Sequence, residues 1–145
     1  MADATENGVR KPRVLLVEDN PGDVDLIRLA FKSAGLDCVL TVLSDGGEAL
    51  AFISEEGVYA GAEVPDLAIL DLNVPKNDGL EILEAIRTSN KFAGLPVAVL
   101  SSSSSPRDRA NVERFQIRQF VTKASNLDEF LKIGTIVKDL LKDAS

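Results

Sequence analysis

Histidine and tryptophan are both missing from the 145 residues, and cysteine, methionine and tyrosine occur once each. Without histidine the chain cannot assemble Ser-His-Asp or Cys-His catalysis, nor a histidine-ligated zinc site. A single cysteine, Cys38, excludes an internal disulfide and suits the cytosol. It reads most simply as a small buried residue on a strand. No apolar run approaches the ~20 residues that a membrane-spanning helix needs. The polar opening, residues 1–11, has no signal-peptide pattern. Positive charge is also in short supply: 16 Lys and Arg face 23 Asp and Glu, for a net charge of -7 and a pI near 4.6. That balance counts against electrostatic binding to nucleic acid or to an anionic membrane. What remains for chemistry is carboxylates, hydroxyls and lysines, a set suited to magnesium and phosphoryl groups.

The length suits one domain with one core, and 45% apolar content is ordinary for a globular chain. The most informative stretch is Leu67-Ala68-Ile69-Leu70-Asp71. Four consecutive apolar residues read as a strand buried on both faces, and a carboxylate follows where that strand leaves the core. Pro75, Asp78 and Gly79 then supply turn and helix-start signals. Asp71 is thus expected at the carboxyl end of a central parallel strand, the edge at which open α/β sheets bind ligands.

The same alternation runs through the chain. Residues 1–12 read as a mobile tail. A first strand spans 13–17 and ends in Glu18-Asp19. Asn20, Pro21 and Asp23 open a helix as cap, first-turn proline and dipole partner, and Gly35 stops it. A second strand is expected over 38–43. Asp45 and Glu48 have capping-box spacing for a helix to about residue 55. A long connection, 57–65, contains Tyr59 as a loop anchor. After the strand at 67–70, a helix from about Asp78 buries Leu80, Leu83 and Ile86.

Strand four, 97–100, runs into five serines, Ser101 to Ser105. The helix beginning at Ser105-Pro106 has few apolar residues (Ala110, Val112, Phe115) and is expected to be weakly held and able to shift. A short strand, 119–122, ends in Lys123. Asn126 and Glu129 open the last helix, which runs to about Lys142. Five strand–helix units with connections too long for hairpins predict a parallel sheet covered by helices on both faces.

In such a sheet every strand's carboxyl end lies on one edge. If strands one, three, four and five are neighbours, Glu18, Asp19, Asp71, Ser101 and Lys123 converge. Two like charges at 4 Å repel by roughly 4 kcal/mol at an effective dielectric of 20. Such a cluster therefore holds a proton or a cation. Magnesium takes one or two carboxylates, keeps waters and accepts phosphate oxygens. A carboxylate beside it can attack phosphorus and form an aspartyl phosphate, with Ser101 and Lys123 binding the phosphoryl oxygens.

These residues carry a resemblance. Leu16-Val17-Glu18-Asp19-Asn20, Leu70-Asp71-Leu72-Asn73-Val74-Pro75 with Asp78-Gly79, then Ser101 and Lys123 in order, make the chain from Arg13 onward resemble a receiver domain of two-component response regulators, similar to the single-domain chemotaxis type. The resemblance implies a flavodoxin-like five-stranded sheet of order 2-1-3-4-5, with Asp71 as phosphoacceptor. It implies magnesium held by Glu18, Asp19, Asp71 and the backbone carbonyl of Asn73. Ser101, the Ser102 N–H and Lys123 would hold the phosphoryl group, and Ser101 and Phe120 would act as the switch pair. It further implies a sensor histidine kinase as partner, a cytoplasmic location for the domain and no DNA-binding output domain. Asn20-Pro21-Gly22-Asp23 and Gly57-Val58-Tyr59-Ala60 look like stand-alone regulators found beside phytochrome-type kinases. Ala124 follows Lys123 where the family usually has proline, and a cis bond to alanine would cost about 2.5–4 kcal/mol.

Bland readings exist for each residue. Asp19 and Asp78 can be helix caps, Lys123 a surface lysine and Phe120 plain core. An aspartate-nucleophile phosphatase would want a second acid where Asn73 stands, which argues against turnover beyond the domain's own phosphorylation and dephosphorylation. A flavin or nucleotide binder would want glycine or hydroxyl residues where Glu18-Asp19 stand. A phosphorylation-independent interaction module of the same fold is the remaining alternative. The last helix carries more apolar residues than one narrow stripe. That leads to an expected homodimer through the face made by helix four, strand five and helix five.

Overall fold

A computed structural model describes residues 10–72, 79–102 and 105–144. Five strands run β1 (Arg13–Val17), β2 (Val39–Leu43), β3 (Leu67–Asp71), β4 (Val97–Ser101) and β5 (Gln119–Thr122). All pairs are parallel and the order is β2-β1-β3-β4-β5. The helices are α1 (Pro21–Ser33), α2 (Gly46–Ile53), α3 (Gly79–Thr88), α4 (Pro106–Glu113) and α5 (Leu127–Ala144). This is the flavodoxin-like arrangement that the sequence resemblance implied.

Side-chain alternation along the strands divides the core into two. Leu15, Val17, Ala68, Leu70, Val97 and Val99 face α2, α3 and α4, meeting Phe52, Ile82, Leu83, Ile86, Phe92 and Val112. Val14, Leu16, Leu67, Ile69, Ala98 and Leu100 face α1 and α5, meeting Ile27, Phe31, Phe130, Ile133 and Val137. Because both faces are covered, β3 and β4 are buried along their whole length.

Local chemistry sets the helix ends. Asn20 Oδ1 accepts from the Gly22 and Asp23 N–H groups at 2.8 and 3.3 Å, with Pro21 in the first turn. Gly35 ends α1 at φ +71°. Asp45 Oδ1 caps Glu48 N–H at 2.8 Å, while Glu48 reaches back to Ser44 N–H at 2.6 Å, one residue earlier than a capping box would have it. Asn126 Oδ1 accepts from Glu129 N–H at 2.8 Å. Tyr59 anchors its loop by donating to Glu48 Oε2 at 3.4 Å and packing edge-on to Phe52 at 5.5 Å.

Several boundaries differ from the sequence expectation. Cys38 lies just before β2 and is half-buried, since the strand's pairing starts where Val39 N–H donates to the Pro12 carbonyl at 2.8 Å. Helix α2 ends at Ile53 because Ser54 caps it and Glu55 turns to φ +56°. In α3 the fully buried residue is Ile82, whereas Leu80 lies at the margin of the core. Helix α4 stops at Glu113, so Phe115 lies beyond it, Ala110 is exposed and Val112 is its one buried residue. On α5, Leu127 is half-exposed, whereas Phe130, Ile133, Val137, Leu140 and Leu141 are buried within the domain.

Candidate functional site

The carboxyl edge of the sheet gathers the polar residues. Register sets their heights: Val17 pairs with Leu70, Asp71 with Leu100 and Ser101 with Thr122. Glu18 and Asp19 therefore leave β1 level with Asp71, and Lys123 leaves β5 beside Ser101. Backbone bonds fix those ends. Glu18 N–H donates to Leu43 O at 2.9 Å, Leu72 N–H to Leu100 O at 3.0 Å, and Lys123 N–H to Ser101 O at 2.7 Å.

Among the described residues, the buried polar and charged side chains of the domain are Glu18, Asp71 and Ser101, each 2% exposed. Carboxylate oxygens of Glu18, Asp19 and Asp71 lie within 4.8 Å of one another. Lys123 Nζ sits among carboxylates, 3.0 Å from Glu18 Oε1, 3.0 Å from Asp71 Oδ2 and 2.9 Å from Asp23 Oδ2. Glu18 Oε2 also accepts from Asn20 N–H at 3.3 Å. Burial, reinforced by the hydrogen bond and charge of Asp71, pushes the Glu18 carboxyl up to about 7 despite Lys123. Burial works against the Lys123 charge, but hydrogen bonds to Asp23, Asp71 and Glu18 outweigh it and raise its pKa above the usual lysine value.

The structure thus brings together Glu18, Asp19, Asp71 and Lys123, with Ser101 buried one residue past Asp71's partner on β4. Ser102 is exposed at the start of the following loop. Phe120 is buried in the same core cluster as Val112, with the Arg109 guanidinium 5.5 Å from its ring centroid. Asn73 and Asp78 lie outside the described residues. The Lys123–Ala124 peptide is trans. Sequence reading missed Asp23 as a member of the site. Its place in the first turn of α1 had a sufficient local reason, the helix dipole, and only the packing of α1 against the sheet edge brings it to Lys123.

The donor set fits a hard divalent cation. Three carboxylates with converging oxygens need positive charge that one ammonium does not supply, and oxygen-only ligands favour magnesium or manganese over softer metals. Glu18, Asp19 and Asp71 would hold it.

A doubly wound sheet in this order, with an acidic pocket and a paired lysine at its carboxyl edge, defines a flavodoxin-like domain of the receiver type. The chain belongs to the response regulator receiver domain family, whose model matches residues 14–134. Response regulator Rcp1 of Synechocystis sp. is 35% identical over 120 residues, covering 83% of this chain and 82% of that protein. The crystal structure of the phosphorylated cyanobacterial phytochrome response regulator RcpA superposes with a TM-score of 0.84 at 33% identity, covering 93% of this chain and 96% of that one. The manganese-bound form of Rcp1 gives 0.80 at 33% identity, covering 88% and 92%. Membership implies a sensor kinase as partner and a divalent metal at the acidic pocket. Among the described residues no helix is long and apolar enough to cross a membrane.

Proposed function

We propose that this domain accepts a phosphoryl group on Asp71 from the phosphohistidine of a sensor kinase, with magnesium as its metal, and signals by phosphorylation-dependent partner contact. The observation that carries this reading is the Lys123 ammonium held 3.0 Å from Asp71 Oδ2 within a three-carboxylate cluster. An Asp71 oxygen attacks phosphorus, the phosphorus–nitrogen bond to the histidine breaks, and the imidazole leaves with the bonding pair. The bound cation supplies positive charge that offsets the carboxylates and the phosphoryl oxygens. Lys123 remains beside the acceptor and neutralises charge on the transferred group. Ser101 donates its hydroxyl to a phosphoryl oxygen and Ser102 its backbone N–H. Phe120 follows the Ser101 end of β4 as the switch aromatic. Asn73 stands where an aspartate-nucleophile phosphatase wants its second acid, which supports a phosphoacceptor over an enzyme on other substrates.

The name of RcpA, a cyanobacterial phytochrome response regulator, supports a phytochrome-type kinase as the partner, and we place this domain in the cytoplasm. A homodimer through α4, β5 and α5 would use the half-exposed Leu127. With Phe130, Ile133, Val137, Leu140 and Leu141 buried within the domain, the partly buried Leu131 and Ile136 are the other large apolar side chains that α5 offers to such a contact. The test is incubation with acetyl phosphate and magnesium. An acid-labile adduct on Asp71, absent from Asp71→Asn, is expected; a folded domain that forms none refutes the reading. The same trial separates it from a phosphorylation-independent module, which would have no use for a buried aspartate–lysine pair.

A further inference from the structure

An ammonium has three N–H donors. In Lys123 all three are taken, by Glu18, Asp23 and Asp71, at 2.9–3.0 Å. A phosphoryl oxygen that is to reach this ammonium must displace one partner. The three are not equally easy to displace. The Glu18 and Asp71 side chains are 1% and 2% exposed, whereas that of Asp23 is 26% exposed. Taking the ammonium away from a buried carboxylate costs far more than returning a partly exposed one to water. Asp71 moreover carries the phosphoryl group itself, and Glu18 belongs to the carboxylate cluster. Asp23 does not belong to that cluster, and α1 can release its side chain without moving a strand.

We propose that Asp23 is a positioning residue whose carboxylate competes with the phosphoryl group for Lys123. In the unphosphorylated domain it holds the ammonium toward the first turn of α1. When the phosphoryl oxygens arrive they take over the third donor, and Asp23 turns to water. Asp23 therefore sets how readily the pocket takes a phosphoryl group, and it makes the start of α1 sensitive to phosphorylation. This inference rests on Asp71 being the phosphoacceptor.

The test uses beryllofluoride, a phosphoryl mimic, at fixed manganese, followed by fluorine NMR, with manganese affinity measured separately by calorimetry. Asp23→Asn keeps an acceptor but loses the charge, so the half-saturating beryllofluoride concentration is expected to fall about two- to fivefold, the worth of a partly exposed ion pair. Manganese affinity, which a disrupted pocket would lose, is expected to weaken by no more than about threefold, the effect of one nearby charge. Asp23→Glu restores the carboxylate and brings the beryllofluoride constant back toward that of the unsubstituted protein. Asp25→Asn removes an exposed carboxylate from the same helix without touching Lys123, and is expected to change little. An unchanged or weakened beryllofluoride affinity in Asp23→Asn overturns the proposal. So does an equal gain in Asp25→Asn, which would make the effect one of net charge alone. Should the unsubstituted domain take up no beryllofluoride, the phosphoacceptor reading itself falls. Uptake by that domain without a gain in Asp23→Asn removes only the competition.

Discussion

Helix α1 takes part in two contacts of opposite character. Its second half meets α5 so closely that a Cβ on Gly134 would lie 2.0 Å from the Ala30 carbonyl oxygen, and Lys138 Nζ donates to the Ala34 carbonyl at 3.0 Å. Its first turn meets the acidic pocket through Asp23 and Lys123. The seam is apolar and close-packed, with its exposed helix end capped by a cation. The pocket crowds carboxylates that a folded domain would do better without. The difference separates what holds the domain together from what it holds in readiness: the pocket's repulsion is relieved by a cation, and the seam supplies stability against which that repulsion can be kept.

Breaking the seam is expected to have the largest effect. Gly134→Ala forces α1 and α5 apart, since the nearest atoms are backbone and cannot rotate away. We expect a loss of about 3 kcal/mol or more in chemical denaturation, at the upper end of overpacking costs. A variant as stable as the parent would show that the two helices separate at little cost.

The next effect lies in the pocket and depends on pH. Folded Glu18 titrates near 7 against an ordinary value of 4.5. Between those values the folded protein holds a proton that the unfolded chain does not. Stability from this group is therefore complete below about pH 4.5 and is lost as pH rises through 7. In chelator, the expected decline is about 2–3 kcal/mol across that window, and Glu18→Gln should flatten it. Denaturation midpoints from pH 4.5 to 8 read this directly. A parent whose stability rises over that range contradicts the crowding.

A smaller gain is expected from Asp71→Asn. The substitution is expected to abolish phosphorylation; it removes one repelling charge, but also one partner of Lys123, so the expected net stabilisation in chelator is about 1 kcal/mol. Added magnesium should narrow the gap between the variant and the parent. If Asp71→Asn unfolds more easily than the parent in chelator, the Lys123 pair outweighs the repulsion, and the pocket resembles the seam more than it opposes it.

The two regions also differ in how far they could be read from sequence. The pocket was legible residue by residue, because Glu18, Asp19, Asp71, Ser101 and Lys123 each follow a short apolar strand, and parallel strands bring their ends to one edge. Asp23 was not, since a helix-start carboxylate already has a local explanation and only tertiary packing supplies the second. The seam left no sequence signal: Gly134 sits in a strong helical pattern where glycine reads as a small propensity cost, and its meaning lies in the close approach of Ala30 from another helix. Helix α4 was legible by what it lacks. Few apolar residues predicted weak attachment, and only Val112 is buried.

That weak attachment gives the smallest prediction. Arg109 of α4 lies over the Phe120 ring at 5.5 Å while also pairing with Glu113 at 3.0 Å, and its side chain is more than half exposed. A cation over an aromatic face at an exposed site contributes about 0.5–1 kcal/mol. Arg109→Ala should therefore cost about 0.5 kcal/mol, near the limit of denaturation measurements. Its clearer mark is dynamic. The guanidinium lies over a ring that the core otherwise holds, so removing it should speed exchange of the Phe120 ring between environments, read by aromatic relaxation NMR. The residues at Gly134 and on α1 should keep their parental relaxation. A ring that stays as rigid without Arg109 as with it would mean that the core alone fixes Phe120, and the contrast between a fixed α5 side and a loosely held α4 side would then stop short of β5.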